Sequence, residues 1–210
     1  MPACITALEA VPPGPRVRVV LDGRFALHID PLLAASLRVG QVLDDAALAR
    51  LAAADAHGRA LDTALRLLTY RPRSVAELRG RLAAKGYDPG TVAAVVARLQ
   101  ALGLLDDATF ARFWVEQRQR FRPRGAAALR AELRAKGVAP ATVAAALADT
   151  DDVEAACRAG RARRRALAGL DRATFQRRLG TYLQRRGFSY AACAEAVARL
   201  WAEQQPAGDD

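Results

Sequence analysis

The residue type with the numbers and spacing to do chemistry in this chain is arginine. One cluster, Arg118, Arg120, Arg122 and Arg124, straddles Phe121, with Trp114 one helical face away. A second run, Arg161, Arg163, Arg164 and Arg165, is the densest, and Arg177, Arg178 and Arg185 form a third, followed by Arg186. The guanidinium fork donates two parallel hydrogen bonds and so suits phosphate and carboxylate. Alternate arginines running through a helix end into the Arg122-Pro123-Arg124 loop cannot all share one face, so several must reach a partner or solvent. Plainer roles compete: core packing for Trp114 and Phe121, a solvated helix face for the Arg161–Arg165 run, and a helix-end cation for Arg186.

Other chemistries lack raw material. The chain has 210 residues, two histidines (His28, His57) and three widely spaced cysteines (Cys4, Cys157, Cys193). That excludes a disulfide framework and a CxxC metal knuckle. Both lysines, Lys85 and Lys136, precede glycine, so neither belongs to a P-loop, and no two glycines stand in a GxGxxG turn. Three serines and two histidines leave little for a Ser-His triad. No enzyme, metal or cofactor is expected. His57 reads as a solvated linker residue beside Gly58, and His28 as a strand residue. Asp106-Asp107 looks like a carboxylate pair, but helix capping explains both.

Net charge is +10, which points to a polyanionic partner. No apolar stretch is long enough to span a membrane, and the N-terminus does not read as a signal peptide, so a cytoplasmic protein is expected. The charge is uneven: residues 1–58 carry −1, 59–108 carry +3, 109–150 carry +5 and 151–210 carry +3.

The elements that must position these arginines are legible from periodicity. Val17, Val19 and Leu21 alternate with polar or smaller neighbours, Asp22-Gly23 follows, and Phe25, Leu27 and Ile29 alternate again. This predicts a β-hairpin on a type I′ turn, with Thr6 to Val11 as a third strand. Short helices are expected near Leu32–Leu37 and from Asp44 or Asp45 to about Ala54. From Arg59 the period becomes helical, with Leu61, Ala64, Leu65 and Leu68 as one stripe. Ser74 and Glu77 form a capping box, Lys85-Gly86 a helix stop, and Asp88-Pro89 the next start. Leu78, Leu82, Gly86 and Val92 recur at Leu129, Leu133, Gly137 and Val143, then at Leu179, Leu183 and Gly187. Pro140 repeats Pro89, Ser189 caps the third copy, and Asp106 and Asp151 cap the first helices of the later copies.

A period of about 50 residues with three helices per unit means a tandem helical array. The expected fold is mostly α, three tandem three-helix repeats preceded by a small N-terminal β-hairpin segment. The expected domains are residues 1–58 (an accessory segment with its junction around Gly58), 59–105, 106–149 and 151–203, with a flexible tail at 204–210. One chain already holds three interacting units, so a monomer is expected.

The array resembles the RecX family, regulators of the bacterial recombinase RecA. Three stretches carry the resemblance: Arg73-Ser74-Val75-Ala76-Glu77-Leu78 through Leu82 to Lys85-Gly86; Gly103-Leu104-Leu105-Asp106-Asp107 leading to Phe110-Ala111; and Glu132-Leu133-Arg134-Ala135-Lys136-Gly137-Val138. It spans about residues 59–203. The Leu21–Ala26 turn looks like the front extension of longer members. The resemblance implies a non-catalytic protein of DNA repair and the SOS response. Such a protein binds the RecA filament on single-stranded, and potentially duplex, DNA and inhibits strand exchange, ATP hydrolysis and co-protease activity. The third repeat departs most, lacking the proline that opens its last helix. A rival reading is a helix-turn-helix transcription regulator, since Ser74–Leu99 is also helix, Gly turn, helix. Against it, helix 92–99 offers few polar residues beyond Thr91, Arg98 and Gln100.

Overall fold

The structure, a computed structural model, describes residues 2–12 and 16–204, and for Arg164 the backbone only. Beyond Gln204 the expected tail lies outside the described residues. The chain divides into two compact units, Met1–Arg71 with Leu78–Leu104, and Pro72–Glu77 with Leu105–Asp210.

The first unit begins with β1 (Ala3–Val11), β2 (Arg16–Leu21) and β3 (Arg24–Ile29), then α1 (Pro31–Ala34) and β4 (Val42–Leu43). All neighbouring strands are antiparallel, in the order β3-β2-β1-β4. Asp22 and Gly23 both take positive φ, 47° and 75°, as a type I′ turn requires. A register shift between Val19 and Val20 breaks the expected alternation. Leu27 and Ile29 keep to the inner face, but Phe25 is 52% exposed, with Arg18 stacked over it at 5.4 Å. His28 is exposed on β3, as expected.

Helix α2 runs unbroken over Asp45–Tyr70, with Asp44 as its N-cap. The two helices read from the sequence are therefore one, and the junction expected at Gly58 lies inside it. His57 is correspondingly a half-buried helical residue, not a linker residue. A lone glycine costs a helix about 1 kcal/mol, and the anchoring beside it outweighs that. Asp55, 3% exposed, accepts from Arg16 at 2.8 Å, Arg59 at 2.9 Å and the Asp30 N–H at 3.0 Å. The buried face beyond Gly58 is Ala60, Thr63 and Ala64. Leu65, read as part of the stripe, is 38% exposed. Small residues let α2 lie close to α4 (Pro89–Ala101), whose Val92, Val95, Val96 and Leu99 are buried.

Helix α3 (Val75–Ala83) has its first residues in the second unit and the remainder in the first. The rest of the second unit is α5 (Asp107–Phe121), α6 (Ala126–Ala135), α7 (Pro140–Leu147), α8 (Asp152–Arg161), α9 (Arg164–Leu167), α10 (Arg172–Arg185) and α11 (Tyr190–Ala202). The periodic leucines do what the repeat demands: Leu78, Leu82, Leu129, Leu133, Leu179 and Leu183 are fully buried. Each second helix stops on a glycine at positive φ (Gly86, Gly137, Gly187). The N–H two residues past each stop's last helical turn reaches back, as in Val138 to the Leu133 carbonyl at 3.1 Å. Cys193 fills the place of Val143, and with Cys157 it is a free, buried thiol whose pKa burial raises. Among the described residues no helix is long and apolar enough to cross a membrane.

The second unit contains two copies of one joint. Ser74 Oγ donates to the Lys136 carbonyl at 2.7 Å, and the Val75 N–H to Asp107 Oδ1 at 2.9 Å. About 50 residues on, the Gly125 N–H donates to the Arg186 carbonyl at 3.0 Å, and the Ala126 N–H to Asp152 Oδ1 at 3.0 Å. Asp106 and Asp151 cap their own helices, while Asp107 and Asp152 cap the second helix of the preceding repeat. Ser74 also accepts from the Glu77 N–H at 3.1 Å, the half of the capping box read from the sequence.

Three N-caps share an Asp-x-x-Thr pattern: Asp88 with Thr91, Asp106 with Thr109 and Asp171 with Thr174. Hydrogen bonds from the threonine hydroxyl and N–H hold all three carboxyls below the ordinary aspartate range; the hydroxyl leads at Asp88 and Asp106, the N–H at Asp171. A lowered carboxyl pKa adds stability above the unfolded value, near 3.9, which is lost as pH falls through the folded one. The melting temperature should therefore hold down to about pH 4 and drop below it. A triple variant, Asp88→Asn, Asp106→Asn and Asp171→Asn, keeps the caps without the titration and should drop less steeply. An equally steep fall in that variant would contradict this account.

Candidate nucleic-acid interface

The structure sorts the candidate arginines into those bound internally and those left for a partner. Arg118 and Arg124 both meet Glu132, at 2.8 and 3.1 Å. The Trp114 indole N–H donates to the same carboxylate at 2.7 Å, and the Arg118 guanidinium lies 4.8 Å over the Trp114 ring. Trp114 in turn packs on Phe110 at 5.8 Å, at the edge of the second repeat's core. This cluster is a structural clamp between α5 and α6. Phe121 is 66% exposed, with Arg120 over its ring at 5.2 Å, and Arg122 is exposed at the C-cap of α5.

The densest run does not form one helical face. Helix α8 ends at Arg161, and Arg163 precedes the short α9. Arg161 is drawn to Glu203 at 2.7 Å and Glu154 at 3.2 Å, and the Glu203 hydrogen bond foremost raises its pKa further. Arg165 is exposed on α9. The Arg164 side chain lies outside the described residues.

Four candidates come together. Arg163, Arg177, Arg178 and Arg185 line a groove of about 500 Å³ between α9 and α10, floored by Leu167 and Tyr182. Helix α10 carries no carboxylate from Arg172 to Arg185. Among the described residues, Arg177, Arg178 and Arg185 enter no ion pair. Arg163 and Arg186 each stack on Tyr182 at 4.8 Å, and Arg186 also donates to the Pro123 carbonyl at 3.0 Å. Arg186 is indeed the helix-end residue of α10, its C-cap. Tyr182 escaped the sequence reading, although it stands four residues from both Arg178 and Arg186, the spacing of one helix face. The groove can hold phosphate or carboxylate: cations on its rim, an apolar floor, and guanidinium groups ordered by an aromatic ring.

The chain matches three family models, described as the first, second and third three-helix domains of RecX, at residues 60–99, 106–147 and 149–197. Curated relatives described as "Regulatory protein RecX" include one from Mycobacterium avium, 44% identical over 67% of this chain and 84% of that protein. Another, from Mycobacterium ulcerans, is 43% identical over 67% of this chain and 84% of its own length. Among solved structures, a crystal structure described as regulatory protein RecX superposes with a TM-score of 0.70 at 24% identity, covering 92% of this chain and 98% of that one. RecX from Lactobacillus salivarius gives a TM-score of 0.64 at 20% identity, covering 71% and 99%. Those two structures share the fold; the curated relatives and the repeat-by-repeat models carry the kinship. With all three of its repeats matched in order, the chain belongs to the RecX family.

Proposed function

We propose that this protein regulates a RecA-type recombinase. It binds the recombinase filament on single-stranded DNA and suppresses strand exchange, ATP hydrolysis and co-protease activity, without catalysis of its own and as a cytoplasmic monomer. The observation that carries this reading is membership of the RecX family across three tandem repeats. The groove supports it, because exposed arginines without a carboxylate among the described residues suit a partner rich in phosphate and carboxylate. In this reading residues 1–58 are an accessory to the array of 59–105, 106–149 and 151–203.

The test is a pull-down of the recombinase of the same species on this protein, with and without single-stranded DNA and an ATP analogue. Retention should be strongest when both are present and should fall with rising salt. No retention in any arm would refute the proposal. Tight, salt-insensitive binding to one duplex sequence would instead favour the transcription-regulator reading.

A further inference from the structure

A second groove adjoins the first. It lies between α10 and α11, has a volume of about 430 Å³, and shares Arg177 and Thr181 with the arginine groove. Its rim carries Tyr190, whose side chain is among the most exposed aromatics of the chain at 80%. Gln176 and Gln184 supply amide groups, and Gly180 leaves the wall open, since a Cβ there would meet nothing within 4 Å. The two grooves therefore flank α10 and meet at Arg177.

We infer that these two grooves form one track for a single strand of nucleic acid, independent of the recombinase. The inference rests on the proposed function in placing DNA among the partners, and it assigns the strand a path. The arginine groove receives backbone phosphates, with Tyr182 as a positioning residue that orders the Arg163 and Arg186 guanidinium groups. Tyr190 receives an unpaired base on its open ring. Every base has a π-face, so such a platform is tolerant of sequence, and the combination of a basic groove with stacking aromatics is how single strands are held. A duplex hides its base faces in the stack and gains only the phosphate contacts. An acidic protein segment would gain the cations but offers Tyr190 no base face to stack on.

The test measures binding of the full chain to a fluorescent oligo(dT), without recombinase, against a duplex of equal length. Tyr190→Ala should weaken oligo(dT) binding about tenfold and Tyr190→Phe should keep it. Neither should alter the inhibition constant of inorganic tripolyphosphate, corrected for the affinity of the probe, since that ion probes the phosphate groove alone. The triple variant Arg177→Ala, Arg178→Ala and Arg185→Ala should lower the magnitude of the salt slope by about 2, at about 0.7 per lost contact. Circular dichroism should be unchanged throughout, since all four side chains are exposed. The inference is overturned if Tyr190→Ala binds oligo(dT) like wild type, or if Tyr190→Phe loses as much as Tyr190→Ala. It is also overturned if the triple variant keeps its oligo(dT) affinity but loses capture of bare recombinase, which would make the groove a protein-docking surface. If wild type binds oligo(dT) as described yet leaves the recombinase unaffected, the regulator reading fails and the track stands.

Discussion

Reversing the groove in one chain, by Arg177→Glu, Arg178→Glu and Arg185→Glu, is expected to weaken association with the recombinase–DNA filament about a hundredfold. Each reversal removes a solvent-exposed ionic contact of up to about 1 kcal/mol and adds repulsion, and about 1.4 kcal/mol is tenfold in affinity. The fold should survive, because the three side chains are exposed and none sits in an ion pair among the described residues. The matched control is Arg24→Glu, Arg38→Glu and Arg50→Glu, three exposed positions in a segment of net charge −1. It should bind within about threefold of wild type, as exposed charges remote from a contact matter little. Two arginines that look equally suitable are poor choices. Arg161→Glu would lose its surface ion pairs with Glu154 and Glu203, which confounds a binding readout, and Arg16→Glu would confront the buried Asp55 and so damage the fold. Equal affinity of the groove reversal and its control would remove the groove from the binding site.

The second large effect concerns the repeated joint. Gly187→Ala should destabilise the second unit by about 3 kcal/mol, from a left-handed backbone position and an overpacked contact. Gly187 has φ +81°, and a Cβ there would fall 2.5 Å from Ala128 Cβ and 2.6 Å from the Ala128 nitrogen. Backbone cannot step aside as a side-chain tip can. Gly169 isolates the first effect: its φ is +72°, but a Cβ would meet nothing within 4 Å. Gly169→Ala should therefore cost only about 1 kcal/mol. By calorimetry Gly187→Ala should melt roughly 10 °C below wild type, well beneath Gly169→Ala. Equal melting of the two variants would show that the joint does not hold the repeats.

The fold was legible where local rules agree with tertiary demands. Asp22-Gly23 announced the hairpin, and the spacing of Leu78, Leu129 and Leu179 announced the repeat, because a short-range period can be read without knowing partners. The front of α2 was misread because Gly58 and a change of apolar period look like a linker, whereas the anchoring of Asp55 by Arg16 comes from a strand 39 residues away. Phe25 left the expected face because a bulge adds a residue that alternation cannot reveal. The candidate site was legible as composition but not as geometry. Arg118 and Arg161 look as free in the sequence as Arg177, yet their carboxylates, Glu132 and Glu203, lie 14 and 42 residues away. Tyr182 and Tyr190 drew no attention because aromatics at helical spacing are usually core.

The central claim is most directly tested by strand exchange. Recombinase of the same species, assembled on single-stranded DNA with ATP, is mixed with this protein, and joint-molecule formation is followed together with ATP hydrolysis. Both rates should fall as the protein is added, and the Arg177→Glu, Arg178→Glu and Arg185→Glu variant should need about a hundredfold more to reach the same effect. Rates unchanged by saturating wild-type protein would contradict the account.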